Sequence, residues 1–508
     1  MRKWLPLVAI CCGTFMLLID VTVVNVALPQ MAGSLHASFS SLQWVVDAYA
    51  LTLSALLLGV GSVADKLGHR RAYVIGLAVF AAASLGCGLA PNSPALIIAR
   101  VVQGIGATGM FACTYALLSS SYTGRDRGIA YGMWGAVLGA SATVGPVIGG
   151  VLTQSLSWRW IFFINLPVSA IAIALAQRAL SGDRPGREQR IDLAGTAAFT
   201  VAAGALTFGL IRANEDGWTA PLVLCLGVLS AVAFTLFFTV ESRSAKAMLD
   251  LALLRRPAFV GILVGSLLVN LAAFSSFTYT SIWLQSVLGL DPIQAGLTGL
   301  PLSIASFAVS AGIGRHLHAR QPGPIIGAGL LLIAAGGALC ALLIGPAASW
   351  PALIGGFVLI GIGVGLATPT LNSSAMAAVP IERGGMAAGA VNTARQLGFA
   401  VGIAVLGTLF ATRAREQVAA AGTPRSAQVA HQLTSGQGRT LLARAGGSRP
   451  VLSHTLHVAA AAGLDLVFWG SALAGLAGSL AVFLLVRPRG AVRAAGDPAT
   501  DAAAAATV

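Results

Sequence analysis

Apolar runs of about 20 residues recur from one end of the chain to the other, and no other feature restricts the fold as much. A helix needs about 20 apolar residues to cross a ~30 Å hydrocarbon core, and its backbone polar groups must be hydrogen-bonded within the segment. Of the 508 residues only 9% are charged, against roughly 25% in an average soluble domain. The sequence therefore predicts an all-α integral membrane protein.

The apolar runs predict fourteen spans in three groups. Six lie near 5–29, 44–63, 73–90, 95–118, 129–152 and 160–177, two near 193–211 and 220–240, and six near 258–286, 294–314, 324–345, 351–376, 385–411 and 464–486. We therefore expect four regions: a six-helix bundle in 1–180, an inserted helix pair with its loops in 181–257, a second six-helix bundle in 258–490, and a disordered cytoplasmic tail in 491–508. The second bundle would carry a long outer loop at about 413–463.

Lys and Arg predict the orientation, because cytoplasmic loops carry an excess of positive charge. With the N-terminus inside, the cytoplasmic segments hold 21 of the 31 Lys and Arg, and the short outer loops hold Arg159 and Arg212. Six more lie in the loop at about 413–463, which we interpret as a solvated linker, with a role in shaping the external mouth as the alternative. Both termini are thus predicted to be cytoplasmic, and nucleic acid is not an expected partner.

One acid, Asp20, stands inside the first apolar span. A charge inside a bilayer costs at least a few kcal/mol, so such acids usually mark an ion or proton pathway. Asp20 and Arg100 of the fourth span are expected at a similar depth, where attraction to Arg100 would oppose desolvation and leave the carboxyl poised for proton exchange. The alternative is a permanent structural ion pair. Asp47, near the outer end of the second span, is either a second titrating acid or an interfacial residue.

The loop after the second span reads GSVADKLGHRR, from Gly61 to Arg71, and combines glycines, one acid and a basic cluster. Glycine permits close backbone approach, and an acid is favourable at a helix N-terminus. We expect Asp65 to pair with a nearby Arg or a helix N-terminus, in a latch that also involves Gly61, Gly68, Arg70 and Arg71. A solvated loop is the alternative.

The fifth span contains the run GAVLGASATVGPVIGG, which includes Gly145, Pro146, Gly149 and Gly150. Glycines four residues apart place a flat stripe on one face of a helix, and a proline inside a helix kinks it. The run therefore predicts close helix packing and a bending point. Glycine stripes are also common wherever two helices pack closely, so the glycines alone are weak evidence of function.

These motifs resemble those of the major facilitator superfamily and occur in the same order. The loop Gly61–Arg71 resembles its signature loop, Arg100 to Ala107 (RVVQGIGA) resembles its motif with a buried arginine, and the Gly-Pro-x-x-Gly-Gly pattern resembles the motif of its antiport exporters. DVTVVNVALP around Asp20, QWVVDAY in the second span and WRWIFFINLP after the fifth narrow the resemblance to the fourteen-helix drug:proton antiporter branch. By itself, WRWIFFINLP predicts an aromatic belt at the membrane interface.

The resemblance implies the superfamily fold, with two six-helix bundles and two extra central helices, and a proton-driven antiporter in the bacterial cytoplasmic (inner) membrane. It would export an amphipathic drug, antibiotic or toxic metabolite and confer resistance; a proton-coupled nutrient importer on the same fold is the alternative. The expected partners are a small amphipathic substrate, protons and the lipid bilayer, and the chain is expected to act as a monomer. No cofactor, metal or enzymatic activity is expected, because no metal cluster or nucleophile–base pair stands out.

Four polar residues inside apolar spans are candidates for the cargo pathway: Asn25, Gln103, Asn372 and Arg395. A cation near the middle of a membrane is costly unless it faces a cavity or a partner. Arg395 is therefore expected either to line the pathway or to brace helices through backbone carbonyls. Some members of the family that export multiply charged cations carry a further acid in the tenth span, and the predicted span in 294–314 contains none; the resemblance therefore implies neutral, anionic or monocationic cargo over dications.

Overall fold

The computed structural model describes residues 2–35, 37, 39–181, 192–244, 249–316, 321–379, 384–423, 425–434, 436–444 and 449–486. These residues form helices joined by short turns, without a β-strand, as expected of a chain whose backbone groups must be hydrogen-bonded inside lipid. Twelve of the described helical segments are long and apolar enough to cross a membrane. The all-α membrane class is therefore confirmed.

The N-terminal bundle comprises α1 (Leu5–Leu35), α2 (Phe39–Leu67), α3 (His69–Gly88), α4 (Ser93–Ser121), α5 (Gly124–Ser155), α6 (Trp160–Phe163) and α7 (Asn165–Ala179). A short 3₁₀ turn, Arg2–Trp4, precedes it. The two short helices α6 and α7 together occupy the predicted sixth span. Gly68 joins α2 to α3 with φ at +89°, a backbone conformation that is accessible to glycine at little cost.

The inserted pair comprises α8 (Leu193–Asp216) and α9 (Pro221–Arg243). The remaining helices are α10 (Leu251–Leu254), α11 (Pro257–Val269), α12 (Ser276–Ile282), α13 (Pro292–Leu297), α14 (Leu300–His316), α15 (Pro322–Leu343), α16 (Ile354–Ala377), α17 (Gly384–Ala420), α18 (Ser426–Thr434), α19 (Gly438–Arg444) and α20 (Arg449–Leu485). Two π-helical turns, Asn270–Phe274 and Trp283–Val287, flank α12, and a 3₁₀ turn, Trp350–Leu353, precedes α16. All fourteen predicted span positions are thus helical.

The bundle has two ends, which we name by the course of α1. The near face is the end at which α1 begins at Leu5 and α2 ends at Leu67; the far face is the end at which α1 ends at Leu35. The two bundles meet where α5 packs on α14 and α16, and where α17 packs on α2 and α4. The inserted helix α8 lies against α2 and α17, and α9 lies against α8. The interface between the bundles therefore lies between α2, α4 and α5 on one side and α14, α16 and α17 on the other.

The segment at about 413–463 is not the solvated linker that we predicted. α17 continues to Ala420, α18 and α19 follow, and α20 begins at Arg449. Val429, Ala430 and Leu433 of α18 are buried in the core of the C-terminal bundle. The prediction was wrong because it weighed the polar composition of the segment and overlooked apolar residues three and four apart, which give a short helix one apolar face.

Arg439 of α19 attaches this segment to the far end of the span that contains α12. Its Nε donates to the carbonyl oxygen of Gln285 at 2.8 Å, and its Nη2 donates to the carbonyls of Gly289 and of Leu290, the latter at 2.6 Å. Ser286 Oγ also donates to the carbonyl of Gly436 at 2.7 Å. The last carbonyls of a helix lack intrahelical partners, so these contacts satisfy groups that would otherwise be left to water.

Two predicted regions lie outside the described residues: most of the polar loop between the sixth and seventh spans, and the tail at 491–508. The boundaries between the four predicted regions, at 180, 257 and 490, remain predictions.

Candidate functional site

The structure brings Asp20 and Arg100 into contact in the interior of the N-terminal bundle. Arg100 Nη1 donates to Asp20 Oδ2, and both side chains are about 1% exposed. The other carboxylate oxygen, Oδ1, accepts from Gln103 Nε2 at 2.9 Å and from Asn165 Nδ2 at 3.2 Å. The acid therefore receives hydrogen bonds from α4 and α7 and is closed to solvent in this conformation.

Arg100 is held by further groups as well as by the acid. Its Nη1 donates to Gln103 Oε1 at 2.7 Å, and its Nε donates to the carbonyl of Val45 on α2 at 2.9 Å. The guanidinium lies 4.3 Å from the ring centre of Tyr49 and 6.0 Å from that of Phe162. A buried charge is tolerated only with such partners. These contacts orient the guanidinium of Arg100 toward α1.

Ser84 completes the cluster and was absent from the predicted site, as was Asn165. Ser84 Oγ lies 2.8 Å from Gln103 Nε2 and 3.3 Å from Asn165 Nδ2. Each of the two amides thus reaches both the acid and the serine. Asn165 is part of the WRWIFFINLP run that predicted an aromatic belt: Trp160 is exposed as such a belt requires, whereas Trp158 is buried and donates to Ser34 Oγ at 2.6 Å.

The local sequence of α4 explains how Arg100 and Gln103 reach α1. The two residues are three apart, so they share one face of the helix. A Cβ on Gly104 would lie 2.8 Å from Thr52 Cβ, and a Cβ on Gly106 would lie 2.5 Å from the backbone nitrogen of Phe80. The RVVQGIGA run therefore lets α4 approach α2 and α3 closely enough to place its two long polar side chains beside Asp20.

The described side chains around Asp20 all present hydrogen-bond donors to it. Arg100, Gln103 and Asn165 all present N–H donors to its oxygens. A carboxylate accepts several such bonds, whereas a protonated carboxyl carries its own O–H and loses acceptor capacity. The arrangement therefore supplies donors to both oxygens of Asp20, and these bonds attach α1 to α4 and α7.

The glycine stripe of α5 faces α1 next to this acid. A Cβ on Gly145 would lie 1.8 Å from Thr22 Oγ1, and a Cβ on Gly149 would lie 3.2 Å from the carbonyl oxygen of Val23. Both contacted residues follow Asp20 within one turn of α1. Nearer its start, α5 faces the other bundle, where Ser310 Oγ of α14 is the neighbour of Gly135. One helix thus contacts both the acid-bearing helix and the opposite bundle.

The predicted latch residues lie at the near face. Asp65 Oδ2 accepts from the backbone N–H of Met386 at 3.0 Å, and its Oδ1 lies 3.3 Å from His69 Nε2. Arg70 Nη2 donates to the carbonyl of Gln177 on α7 at 2.5 Å. The loop after α2 therefore touches the first turn of α17 in the opposite bundle and the end of α7 in its own.

The structure places the remaining predicted site residues as follows. Gly61 on α2 and Gly150 on α5 are buried, and Arg71 is exposed at the near face. Asp47 is half-buried on α2 and is not among the described partners of Asp20. The side chains of Asn25 and Pro146 lie outside those described; the α5 helix itself continues through Pro146.

A second polar group lies between the two bundles. Arg395 Nη1 of α17 donates to the hydroxyl of Tyr115 on α4 at 2.7 Å, and the guanidinium lies 5.8 Å from the ring centre of Trp134 on α5. Asn372 of α16 is buried beside the same Tyr115 hydroxyl. Asn392 Nδ2 donates to the carbonyl of Phe111 at 3.4 Å. Of the four cargo-pathway candidates, Arg395 and Asn372 are therefore close together, whereas Gln103 belongs to the Asp20 cluster.

Arg395 also lines a small cavity at this interface. The cavity is bounded by Gly135, Phe274, Leu302, Ser306, Ser310, Val364, Thr368 and Arg395. Its wall is mostly apolar, with three hydroxyl side chains and one guanidinium. Its volume of about 10 Å³ is close to that of one water molecule in this conformation, so a larger ligand would enter only after the helices move.

Comparisons with known proteins agree with these observations. A family model described as Major Facilitator Superfamily matches residues 10–403. The chain is 35% identical over 411 residues to the multidrug resistance protein Stp of Mycobacterium tuberculosis (strain CDC 1551 / Oshkosh), covering 80% of this chain and 76% of that protein. It is 36% identical over 436 residues to the puromycin resistance protein pur8 of Streptomyces alboniger, covering 84% and 86%.

A solved structure shares the fold at much lower identity. The proton:xylose symporter XylE, bound to 6-bromo-6-deoxy-D-glucose, superposes with a TM-score of 0.59 at 10% identity, and the match covers 96% of each chain. At this identity the likeness shows the fold alone.

Proposed function

This chain belongs to the major facilitator superfamily, and on that premise we propose that it exports an amphipathic drug, antibiotic or toxic metabolite in exchange for protons. The membrane would be the bacterial cytoplasmic membrane, with the near face and both termini on the cytoplasmic side. Relatives named for multidrug and puromycin resistance support the export of drugs. The excess of Lys and Arg in the loops of the near face supports the orientation.

The observation that carries the proton coupling is the closed cluster around Asp20. The acid is about 1% exposed, accepts hydrogen bonds from three side chains, and has no contact with either aqueous phase in this conformation. A proton can reach it only after helices move, and its arrival disrupts the bonds that fasten α1 to α4 and α7. Binding of a proton and movement of helices are thereby linked, as an antiporter requires.

The path from Asp20 to the opposite bundle runs through α5. Gly145 and Gly149 fix α5 to α1, and Gly135 brings the same helix to Ser310 of α14. In our proposal, proton uptake at Asp20 shifts α1 and α5 together and changes the fit between the bundles. The hydrogen bond between Asp65 and Met386 then breaks as the near face opens.

The cycle would proceed by alternating access. With Asp20 charged, the site between the bundles binds cargo from the cytoplasm; after the far face opens, Asp20 takes a proton and cargo leaves. The return step carries the proton inward. Each charge moved inward releases about 2.3 kcal/mol per 100 mV of membrane potential, which supports roughly a 50-fold gradient of cargo. One chain contains both bundles, so a monomer suffices, and no enzymatic step or cofactor is involved.

The test uses inside-out membrane vesicles with an acidic lumen, which present the proposed cytoplasmic face to the medium. Antibiotics, dyes and lipophilic cations are added while a fluorescent indicator reports lumenal pH. We expect some compounds to release protons from wild-type vesicles and to release none from Asp20→Asn vesicles of equal protein content. Asp216→Asn, at the end of α8, is the matched control and should behave as wild type.

Three outcomes would contradict the proposal. Proton release by Asp20→Asn at the wild-type rate would make the Asp20–Arg100 pair structural. Accumulation of compounds in the vesicles without release of protons would show that transport of cargo is not coupled to protons. Protons leaving the lumen only together with a nutrient that leaves in the same direction would show the importer alternative.

A further inference from the structure

Arg395 is a cation between the two bundles for which the structure shows no acid. Its described partners are the Tyr115 hydroxyl and the Trp134 ring, and no described carboxylate lies within ion-pairing distance of it. Arg100, by contrast, is neutralised by Asp20. The two arginines therefore differ: Arg100 is buried and pairs with an acid, whereas Arg395 is half-buried and has no carboxylate among its described partners.

The groups around Arg395 form a site and leave part of its hydrogen-bonding capacity unused. Tyr115 accepts from one N–H of Nη1, and no described residue accepts from the others. The Asn372 Nδ2 group, on a side chain that is 3% exposed, lies beside the Tyr115 hydroxyl and makes no hydrogen bond of good geometry with the described residues. The site thus offers donors on α17 without acceptors in the described part of the chain, and a second, poorly bonded donor beside them on α16.

The apolar groups beside these donors indicate what else a ligand must carry. The cavity against Arg395 is walled by Phe274, Leu302 and Val364. A half-buried guanidinium without a carboxylate partner is partly desolvated, and pairing with a ligand anion gives it the opposite charge that the described residues do not supply. A guanidinium also binds a carboxylate or sulfonate through two parallel hydrogen bonds, whereas it repels an ammonium group.

We propose that Arg395, with Asn372 beside it, is an anion-binding subsite for cargo, so that the preferred substrates are amphipathic organic anions with a carboxylate or sulfonate next to an apolar body. This inference rests on the proposed export function and narrows its substrate class. It also separates two tasks within the molecule: Asp20 binds the proton inside the N-terminal bundle, and Arg395 binds the cargo between the bundles.

The subsite has a consequence for the energetics of transport. Exchange of one anion moving outward for one proton moving inward transfers two positive charges inward per cycle. The membrane potential would then act on both movements.

The experiment compares three probes that share one apolar body: pyrenebutyrate, its neutral carboxamide, and pyrenebutyltrimethylammonium. Binding to the full-length protein in lipid nanodiscs is measured by quenching of tryptophan fluorescence, without a pH gradient, and empty nanodiscs give the background from partitioning into lipid. We expect wild type to bind the anion about tenfold more tightly than the amide, and the cation least tightly.

The variants assign this selectivity to Arg395. Arg395→Gln should bring the affinity ratio of anion to amide close to one, and Arg395→Lys should retain most of it. Asn372→Asp places an acid beside Arg395 and should abolish the preference for the anion. Arg413→Gln, further along the same helix, where Arg413 pairs with Glu416 at 2.8 Å, is the matched control and should leave the ratio unchanged.

Equal affinity of wild type for all three probes, or an unchanged ratio in Arg395→Gln, would overturn the proposal. If Arg395 only braced the bundles, Arg395→Gln would weaken binding of all three probes by the same factor. Transport of the probes into acidic inside-out vesicles is measured separately. Selective binding of the anion without transport driven by the pH gradient would contradict the export function and support the anion site. Transport of the probes without selectivity for the anion would contradict the anion site and support the export function.

Discussion

The Asp65 carboxylate on α2 accepts a hydrogen bond of 3.0 Å from the backbone N–H of Met386, the third residue of α17, so an acid of one bundle caps a helix N-terminus of the other. The first N–H groups of a helix lack intrahelical acceptors and carry partial positive charge. This bond therefore favours the conformation in which the near face is closed.

We expect Asp65→Asn to shift the protein toward a conformation open at the near face. A hydrogen bond to a charged group contributes about 1.5–3 kcal/mol, so its loss should change the ratio of closed to open molecules about tenfold or more. Spin labels on the exposed residues Arg178 and Arg255, in a cysteine-free background, would report the distance between the bundles. Lys66→Gln should leave the distance distribution unchanged; an unchanged distribution in Asp65→Asn would contradict the latch.

We expect Gly145→Ala to impair transport and stability through one added methyl group. That group would meet Thr22 Oγ1 at 1.8 Å, and forcing atoms into a packed contact costs about 1–3 kcal/mol. Thr22→Gly in the same molecule should restore part of the loss. Gly227→Ala, where nothing lies within 4 Å, serves as the control, and equal effects of the two alanines would show that α5 does not depend on this contact.

We expect the stability effects of Asn165→Ala and Asp20→Asn to be non-additive. Asn165 Nδ2 donates to Asp20 at 3.2 Å, and residues in one hydrogen-bond network usually show a coupling energy of about 1 kcal/mol. Unfolding of the four members of the double-mutant cycle in mixed micelles would measure it. Strict additivity would mean that the two side chains act independently.

We expect Arg439→Gln to loosen the segment formed by α18 and α19. The substitution removes the donors to the carbonyls of Gln285, Gly289 and Leu290, and hydrogen–deuterium exchange in 426–444 should become about tenfold faster or more. Arg415→Gln, on the exposed side of α17, is the matched control. Exchange at the wild-type rate in Arg439→Gln would show that the apolar face of α18 alone holds the segment.

The sequence was sufficient for the positions of the helices, because the length of an apolar run is a one-dimensional property; of the fourteen predicted spans, twelve described segments are long and apolar enough to cross a membrane. It also led to the expectation that Asp20 and Arg100 lie at a similar depth, because depth follows from the distance along a helix to its end. Ser84 and Asn165 were missed because their role depends on how helices are rotated and arranged around the bundle axis. A run of apolar residues contains little information about that rotation.

The same limitation explains the partner of Asp65. The expectation of a helix N-terminus or an arginine came from the chemistry of the acid, but no local pattern connects Asp65 with Met386, which lies 321 residues away. The error at 413–463 has another cause. Its apolar residues are visible in the sequence, but six arginines lower the mean hydropathy of the segment. Only the spacing of the apolar residues indicates the buried face of α18.

In the proposed antiporter, the closed surroundings of Asp20 would also prevent protons from leaking through the resting protein. An acid that is linked to water on both sides would let protons leak inward continuously and dissipate the gradient that drives the transporter. Here the side chain is 1% exposed, and the groups that touch it are themselves buried and connected to one another. Under the proposed function, a cell could therefore keep many copies of this protein in its membrane without dissipating its proton gradient while no cargo is present.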